Sequence, residues 1–117
     1  GTPVLLKGKP SQAFSSDGER TMIPNGNNGL ATGGSGDILA GMVAGFMAQG
    51  CQGYDALRLA AFAHGLASDV LSSSTSARSI IPGDVAAVMG KTLFLIEQGG
   101  HDRLLAGNPY WTREKEL

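Results

Sequence analysis

The sequence predicts a chain of α/β or α+β class, built as a strand, a hairpin and then three helices. Three observations point there. A short apolar run opens the chain, and two strand-like segments around an Asp-Gly turn follow it. Three segments with helical apolar spacing then come in series. Between the two halves lies the glycine-dense stretch Asn25 to Asp37, which leads directly into the first helical segment.

Pro3-Val4-Leu5-Leu6-Lys7 is a short apolar run and reads as a buried strand. Gln12 to Ser15 and Arg20 to Ile23 flank Ser16-Asp17-Gly18-Glu19, where Asp-Gly supplies the turn of a hairpin. The first helix is expected from Ser35 to Ala48, with Ile38, Leu39, Met42, Val43, Phe46 and Met47 on its apolar face. Gly41 and Gly45, one turn apart, should allow close packing against a sheet or helix. The second helix is expected from Tyr54 to Leu71, with Leu59, Phe62, Ala63, Leu66, Ala67 and Val70 inward. Ser72 to Ser79 reads as a serine-rich surface loop. A third helix is expected from Asp84 to Gln98, opened by Pro82-Gly83-Asp84 and stopped by Gly99-Gly100. Residues 101–117 show no period and read as a tail, where Tyr110 and Trp111 could dock onto the body or a partner. Three apolar helix faces need more sheet than these strands supply, so the chain reads as part of a larger domain.

Length and charge narrow the function. With 117 residues there is room for one domain and a modest core. A net charge of −1 argues against a nucleic-acid groove or a polybasic membrane surface. No apolar run approaches the ~18 residues of a membrane span. The lone cysteine, Cys51, excludes an internal disulfide and fits a reducing, cytoplasmic setting. It has no basic neighbour to activate it. Glycine, at 18 residues, is roughly twice its ~7% average usage. It is clustered between periodic segments, which favours close-approach loops over disorder.

The glycine stretch carries the chemistry. Glycines lacking a β-carbon let backbone N–H groups close around an anion, and the free N–H groups and positive dipole end of the following helix face the same point. Asp37 falls in the first turn of that helix. It reads either as a carboxylate beside an anion cradle or as a simple dipole partner.

Val4-Leu5-Leu6-Lys7-Gly8, the hairpin and Gly29-Leu30-Ala31-Thr32-Gly33-Gly34-Ser35-Gly36-Asp37-Ile38-Leu39-Ala40-Gly41 together resemble the NAD(P)H-hydrate dehydratases, the YjeF-related carbohydrate kinases of the ribokinase-like superfamily. Ala61-Phe62-Ala63-His64-Gly65-Leu66-Ala67 is similar to the helix that follows in that family. The resemblance implies an α/β fold in which residues 1–98 are the C-terminal portion of a ribokinase-like dehydratase domain and 99–117 are a tail. It also implies a missing N-terminal part of the same domain, and self-association into a homo-oligomer.

The implied activity is repair of NADHX and NADPHX, the hydrated forms of the reduced nicotinamide cofactors. The hydrate's hydroxyl takes a phosphoryl group from ADP or ATP, with Mg2+, and phosphate elimination restores the ring double bond. Hydroxide leaves poorly and phosphate leaves well, which is the physical logic of the scheme. By the same resemblance Lys7, Gly8, Lys9, Pro10, Ser11 and Gly36 hold the adenine nucleotide. Thr32, Gly33, Gly34, Ser35 and Gly36 form the anion hole. Asp37 meets the hydrated nicotinamide and serves as general base.

Other readings stand beside these. Lys7 at a strand end also reads as a solvated lysine. His64 reads as a packing or hydrogen-bonded histidine rather than a catalyst, and His101 has no partner pattern, so the two histidines make no metal site. Asp55, Asp69 and Asp84 read as helix-end or surface carboxylates. Asn25, Asn27 and Asn28 read as turn formers. For the whole chain, a ribokinase-like kinase of a sugar or vitamin precursor is the alternative enzyme, and a nucleotide-binding fragment inactive alone is the alternative of another class.

Overall fold

The computed structural model describes residues 2–8, 10–24 and 34–99. Within them the chain runs β1 (Val4–Leu6), β2 (Ser11–Phe14), β3 (Arg20–Ile23), α1 (Ser35–Ala48), α2 (Gly53–Ser72), a 3-10 turn (Ala77–Ser79), α3 (Pro82–Ala87) and α4 (Met89–Glu97). The strands form one antiparallel sheet in the order β1-β2-β3.

Alternation along the strands decides which side of the sheet is buried. Leu5 opposes Ala13, Ala13 opposes Thr21, and Ser11 opposes Ile23. On this inner face Ala13 and Ile23 are buried and pack with Ala61 of α2, flanked by Leu5, Tyr54 and Phe62. The other face carries Val4, Leu6, Gln12, Phe14, Arg20 and Met22. Val4 and Leu6 are each more than half exposed there. The expectation that the opening run is a buried strand is therefore corrected. Among the described residues β1 is an edge strand with one face covered, by α2, which packs against all three strands.

The hairpin turns where the Asp-Gly pair predicts. Ser15 N–H donates to the Glu19 carbonyl at 2.8 Å, and Gly18 adopts φ +92°. The Ser15 hydroxyl donates to the Asp17 carboxylate and accepts from Glu19 N–H, which closes the five-residue connection.

α2 is the central element and touches every other strand and helix, including the 3-10 turn. Its sequence explains that position. Ala56, Ala60, Ala63 and Ala67 are fully buried and recur at helical spacing, so partners can approach its axis closely, with Leu66 filling the space between. Of the residues expected inward, Ala63, Leu66 and Ala67 are buried, while Leu59, Phe62 and Val70 are half-buried. The helix ends where Ser72, Ser73 and Ser74 turn their hydroxyls back to donate to the carbonyls of Asp69, Val70 and Leu71.

α1 has the predicted bounds and, except at Met47, the predicted apolar face. Ser35 and Leu39 are its buried residues, and Ile38, Met42, Val43 and Phe46 are half-buried. Met47 is half exposed, and Gly41 and Gly45 face open space rather than a neighbour. Those glycines fall opposite Leu39 on the helical wheel, so their expected packing role is not found.

The expected single helix from Asp84 to Gln98 is two helices. Val88 leaves helical geometry at φ −96°, ψ 5°. Its carbonyl accepts both Thr92 N–H at 2.9 Å and the Thr92 hydroxyl at 2.8 Å. That competing bond bends the chain and lets Val85 and Thr92 both be buried, Val85 in a cluster with Ala67 and Ile80. Pro82 is the first residue of α3, and the Asp84 carboxylate accepts Ile81 N–H at 3.0 Å, so Asp84 is the helix-end group expected of it. Gly99, at φ +75°, follows α4 as the expected stop.

Candidate functional site

Two segments distant in sequence meet at one corner of the fold. Lys7 directly follows β1, and Ser35 begins α1 from Gly34. Gly34 holds φ +91°, ψ −12°, a left-handed conformation that suits glycine. A β-carbon there would also touch Pro82 Cγ at 3.4 Å, so the start of α3 backs the entrance of α1. The helix's own bonding begins with Asp37 N–H donating to the Gly34 carbonyl at 3.1 Å. The N–H groups ahead of it belong to the orphan set that every helix presents at this end. No side chain caps the helix.

The Lys7 ammonium reaches this helix end. A β-carbon on Gly36 would lie 3.0 Å from Lys7 Nζ, tight enough that the lysine tip would have to give way. Glycine at 36 is what lets the cation stand against the first turn. Behind that turn, the Ser35 hydroxyl and Nε2 of His64 pair at 3.4 Å in the interior, either able to donate according to the imidazole tautomer. Both residues are buried. Burial, and secondly the Lys7 ammonium, push the His64 imidazole below its ordinary value of 6.5. Asp37 is exposed, one residue beyond Gly36. A cation and a helix N-terminus thus share one corner with a buried imidazole behind it, and the first two favour negative charge there.

The turn after Lys7 is fastened by one serine. Gly8 N–H donates to Ser11 Oγ at 3.2 Å, and Ser11 Oγ donates to the Gly8 carbonyl at 3.1 Å. Pro10 is half-buried within it. Of the residues expected at the site, Lys7 meets Gly36, Gly34, Ser35 and Asp37 lie in the same turn, and Gly8, Pro10 and Ser11 form the adjoining connection. Lys9, Thr32 and Gly33 lie outside the described residues, as do Asn25, Asn27, Asn28 and the tail. Sequence reasoning missed the pairing of His64 with Ser35. No local signal could have given it, since the two are 29 positions apart on different helices.

Among the described residues no group of three or more His, Cys, Asp or Glu could hold a metal ion. No described helix is long and apolar enough to cross a membrane. Asp55 lies on the surface of α2, paired with Arg58 at 2.7 Å.

Comparison with known proteins gives a consistent result. The family model described as NAD(P)H-hydrate dehydratase matches residues 1–90. The ADP-dependent (S)-NAD(P)H-hydrate dehydratase of Neisseria meningitidis is 39% identical over 87 residues, covering 74% of this chain and 29% of that protein. The bifunctional NAD(P)H-hydrate repair enzyme of Moorella thermoacetica is 35% identical over 104 residues, covering 89% of this chain and 20% of that one. Among solved structures, the ADP/ATP-dependent NAD(P)H-hydrate dehydratase from Bacillus subtilis, co-crystallised with ATP/Mg2+, superposes with a TM-score of 0.75 at 26% identity. That match covers 79% of this chain and 33% of the other. The α/β fold expected from the resemblance is therefore the fold observed. The chain spans less than a third of the length of these curated relatives.

Proposed function

The chain belongs to the NAD(P)H-hydrate dehydratase family, and on that footing we propose that it forms the phosphoryl-transfer end of an ADP-dependent enzyme dehydrating NADHX and NADPHX. ATP is the alternative donor. The observation that carries the reading is the Lys7 ammonium held against the opening turn of α1 at Gly36. A point cation beside orphan helix N–H groups suits the terminal phosphate of a nucleotide, where charge shifts as the phosphoryl group moves.

In this reading Lys7, Gly8, Lys9, Pro10, Ser11 and Gly36 hold the nucleotide, and Thr32 to Gly36 form the anion hole. The hydrate's hydroxyl oxygen attacks the terminal phosphorus, the bond from that phosphorus to the nucleotide's bridging oxygen breaks, and Asp37 takes the hydroxyl proton. The carbon–oxygen bond then breaks and phosphate leaves with its electron pair, the adjacent ring carbon gives up a proton to phosphate or water, and the electrons of that carbon–hydrogen bond form the ring double bond. Asp37 supports this role by its exposure next to the glycine that admits Lys7. Magnesium would neutralise phosphate charge, held chiefly by nucleotide oxygens and water, as this ion commonly is. Asp37 is the carboxylate of the α1 opening that could join it.

Residues 1–98 serve here as the C-terminal portion of the dehydratase domain, with 99–117 a tail. The relatives' additional length supports a larger domain whose N-terminal part covers the exposed side of the sheet. A cytoplasmic homo-oligomer completes the reading. The experiment is to supply NADHX with ADP, then with ATP, to the full-length protein and follow NADH by absorbance. Recovery of NADH dependent on nucleotide is the expected result. A protein that ignores NADHX and phosphorylates a sugar or vitamin alcohol would be a ribokinase-like kinase instead.

A further inference from the structure

His64 takes no part in the chemistry just described, yet it is one of the most deeply buried polar side chains of the fold. We infer that His64 is a positioning residue for the anion site, in which Nε2 fixes the Ser35 hydroxyl and thereby the opening turn of α1 that faces Lys7. The inference rests on the nucleotide-binding reading of that turn and goes beyond it by naming what holds the turn in place.

The geometry supplies the reasons. Ser35 is the first residue of α1, directly after a left-handed glycine with no side-chain cap. Among the described residues, the start of α3 behind Gly34 and the His64 pairing behind Ser35 are what back this helix end. Ser35 Oγ meets His64 Nε2 at 3.4 Å in the interior, and His64 comes from the central helix that every other element packs against. The pairing therefore ties the opening turn of α1 to the helix at the centre of the fold.

The imidazole's neutrality matters to the same end. A protonated ring would set a second buried cation near Lys7, whereas burial and Lys7 both favour the neutral form. A neutral ring with its proton on Nε2 donates to Ser35 Oγ, and the serine proton is then free to be donated forward to an anion. Packing alone would be served equally by leucine. Packing together with a hydrogen bond would not.

That difference makes the test. In the full-length protein His64→Leu keeps the apolar bulk and removes the bond, while His64→Gln keeps an amide able to pair with Ser35. ADP is the probe, titrated by calorimetry, with kcat and KM for NADHX read in parallel and thermal melts recorded for each variant. His64→Leu should bind ADP roughly three- to tenfold more weakly, the worth of one hydrogen bond. His64→Gln should recover most of that loss. Ser35→Ala should lose at least as much, since it removes the donor itself, and Ser35→Ala with His64→Leu together should lose no more than Ser35→Ala alone.

Equal ADP affinity in His64→Leu and wild type overturns the inference, as does a glutamine variant no better than leucine. Should His64→Leu not fold, Ser35→Ala decides, because wild-type affinity in that variant overturns the inference equally. A wild type that binds neither ADP nor ATP removes the nucleotide reading, and this inference with it. A wild type that binds while His64→Leu binds as well removes this inference alone.

Discussion

Lys7 Nζ stands 3.0 Å from the point that a β-carbon on Gly36 would occupy, which ties the end of β1 to the first turn of α1. The contact is with the tip of a flexible side chain, so an added methyl can be relieved by moving the lysine. Gly36→Ala should therefore keep or slightly raise stability, by up to ~1 kcal/mol for glycine replaced in a helix. The displaced ammonium should cost at least about tenfold in ADP affinity, the effect of ~1.4 kcal/mol. Calorimetry and a urea melt on the same variant separate the two effects. Unchanged ADP binding would take Lys7 out of the site.

Asp37 carries the chemical step in the proposed mechanism. Asp37→Asn keeps the size of the side chain and removes its basicity, so turnover of NADHX should fall by ~10²- to 10⁴-fold. Nucleotide affinity should remain measurable, because Lys7 and the helix end are untouched. Near-normal turnover in this variant would refute the assignment of Asp37 as the base.

The His64 environment sets a pH dependence of stability. Among the described residues, Lys7 just after β1 and Ser35 on α1 act on the ring. Its folded pKa lies below 6.5, chiefly through burial and then through Lys7. Below 6.5 the unfolded chain binds a proton that the folded chain resists, so stability is full above 6.5 and falls as pH drops from there towards the depressed value. Urea midpoints of the full-length protein across that window should decline on acidification, and His64→Leu should remove that part of the slope. Parallel slopes in the two proteins would show that His64 does not titrate in this way.

Thr21 Oγ1 and the Tyr54 hydroxyl lie 2.5 Å apart and join β3 to the first turn of α2. The Arg58 guanidinium covers the same ring at 4.8 Å. Tyr54→Phe keeps the ring and loses the hydroxyl, and should destabilise the fold by about 0.5–1.5 kcal/mol. Thr21→Val should give a similar loss, and the double variant no more than one of them. Chemical denaturation measures all three.

The outer face of the sheet gives a prediction for the 117-residue chain purified alone. Val4 and Leu6 are exposed beside Met22 on an edge-strand sheet. Such a face should make the chain associate with concentration, visible by analytical ultracentrifugation. Leu6→Lys should reduce it. A monodisperse monomer at all concentrations would show that this face is content in water.

Local chemistry was legible from the sequence wherever its cause was local. The Asp-Gly turn, the serine start of α1, the proline and aspartate that open α3 and the glycine that ends α4 each act within a few residues, and each lies where the sequence puts it. The break at Val88 was not legible, because Thr92 reads as an ordinary helical residue until its hydroxyl is seen competing for the Val88 carbonyl. Nor was the exposure of Val4 and Leu6, since apolar strand residues look alike whether or not a second layer covers them. At the site the glycines, Lys7 and Asp37 could be picked out by residue type and by family likeness. The meeting of Lys7 with Gly36, and of His64 with Ser35, needed the tertiary structure. Both join segments that are remote along the chain, and only the packing of β1 and α1 around the alanine-lined α2 sets the distances between them.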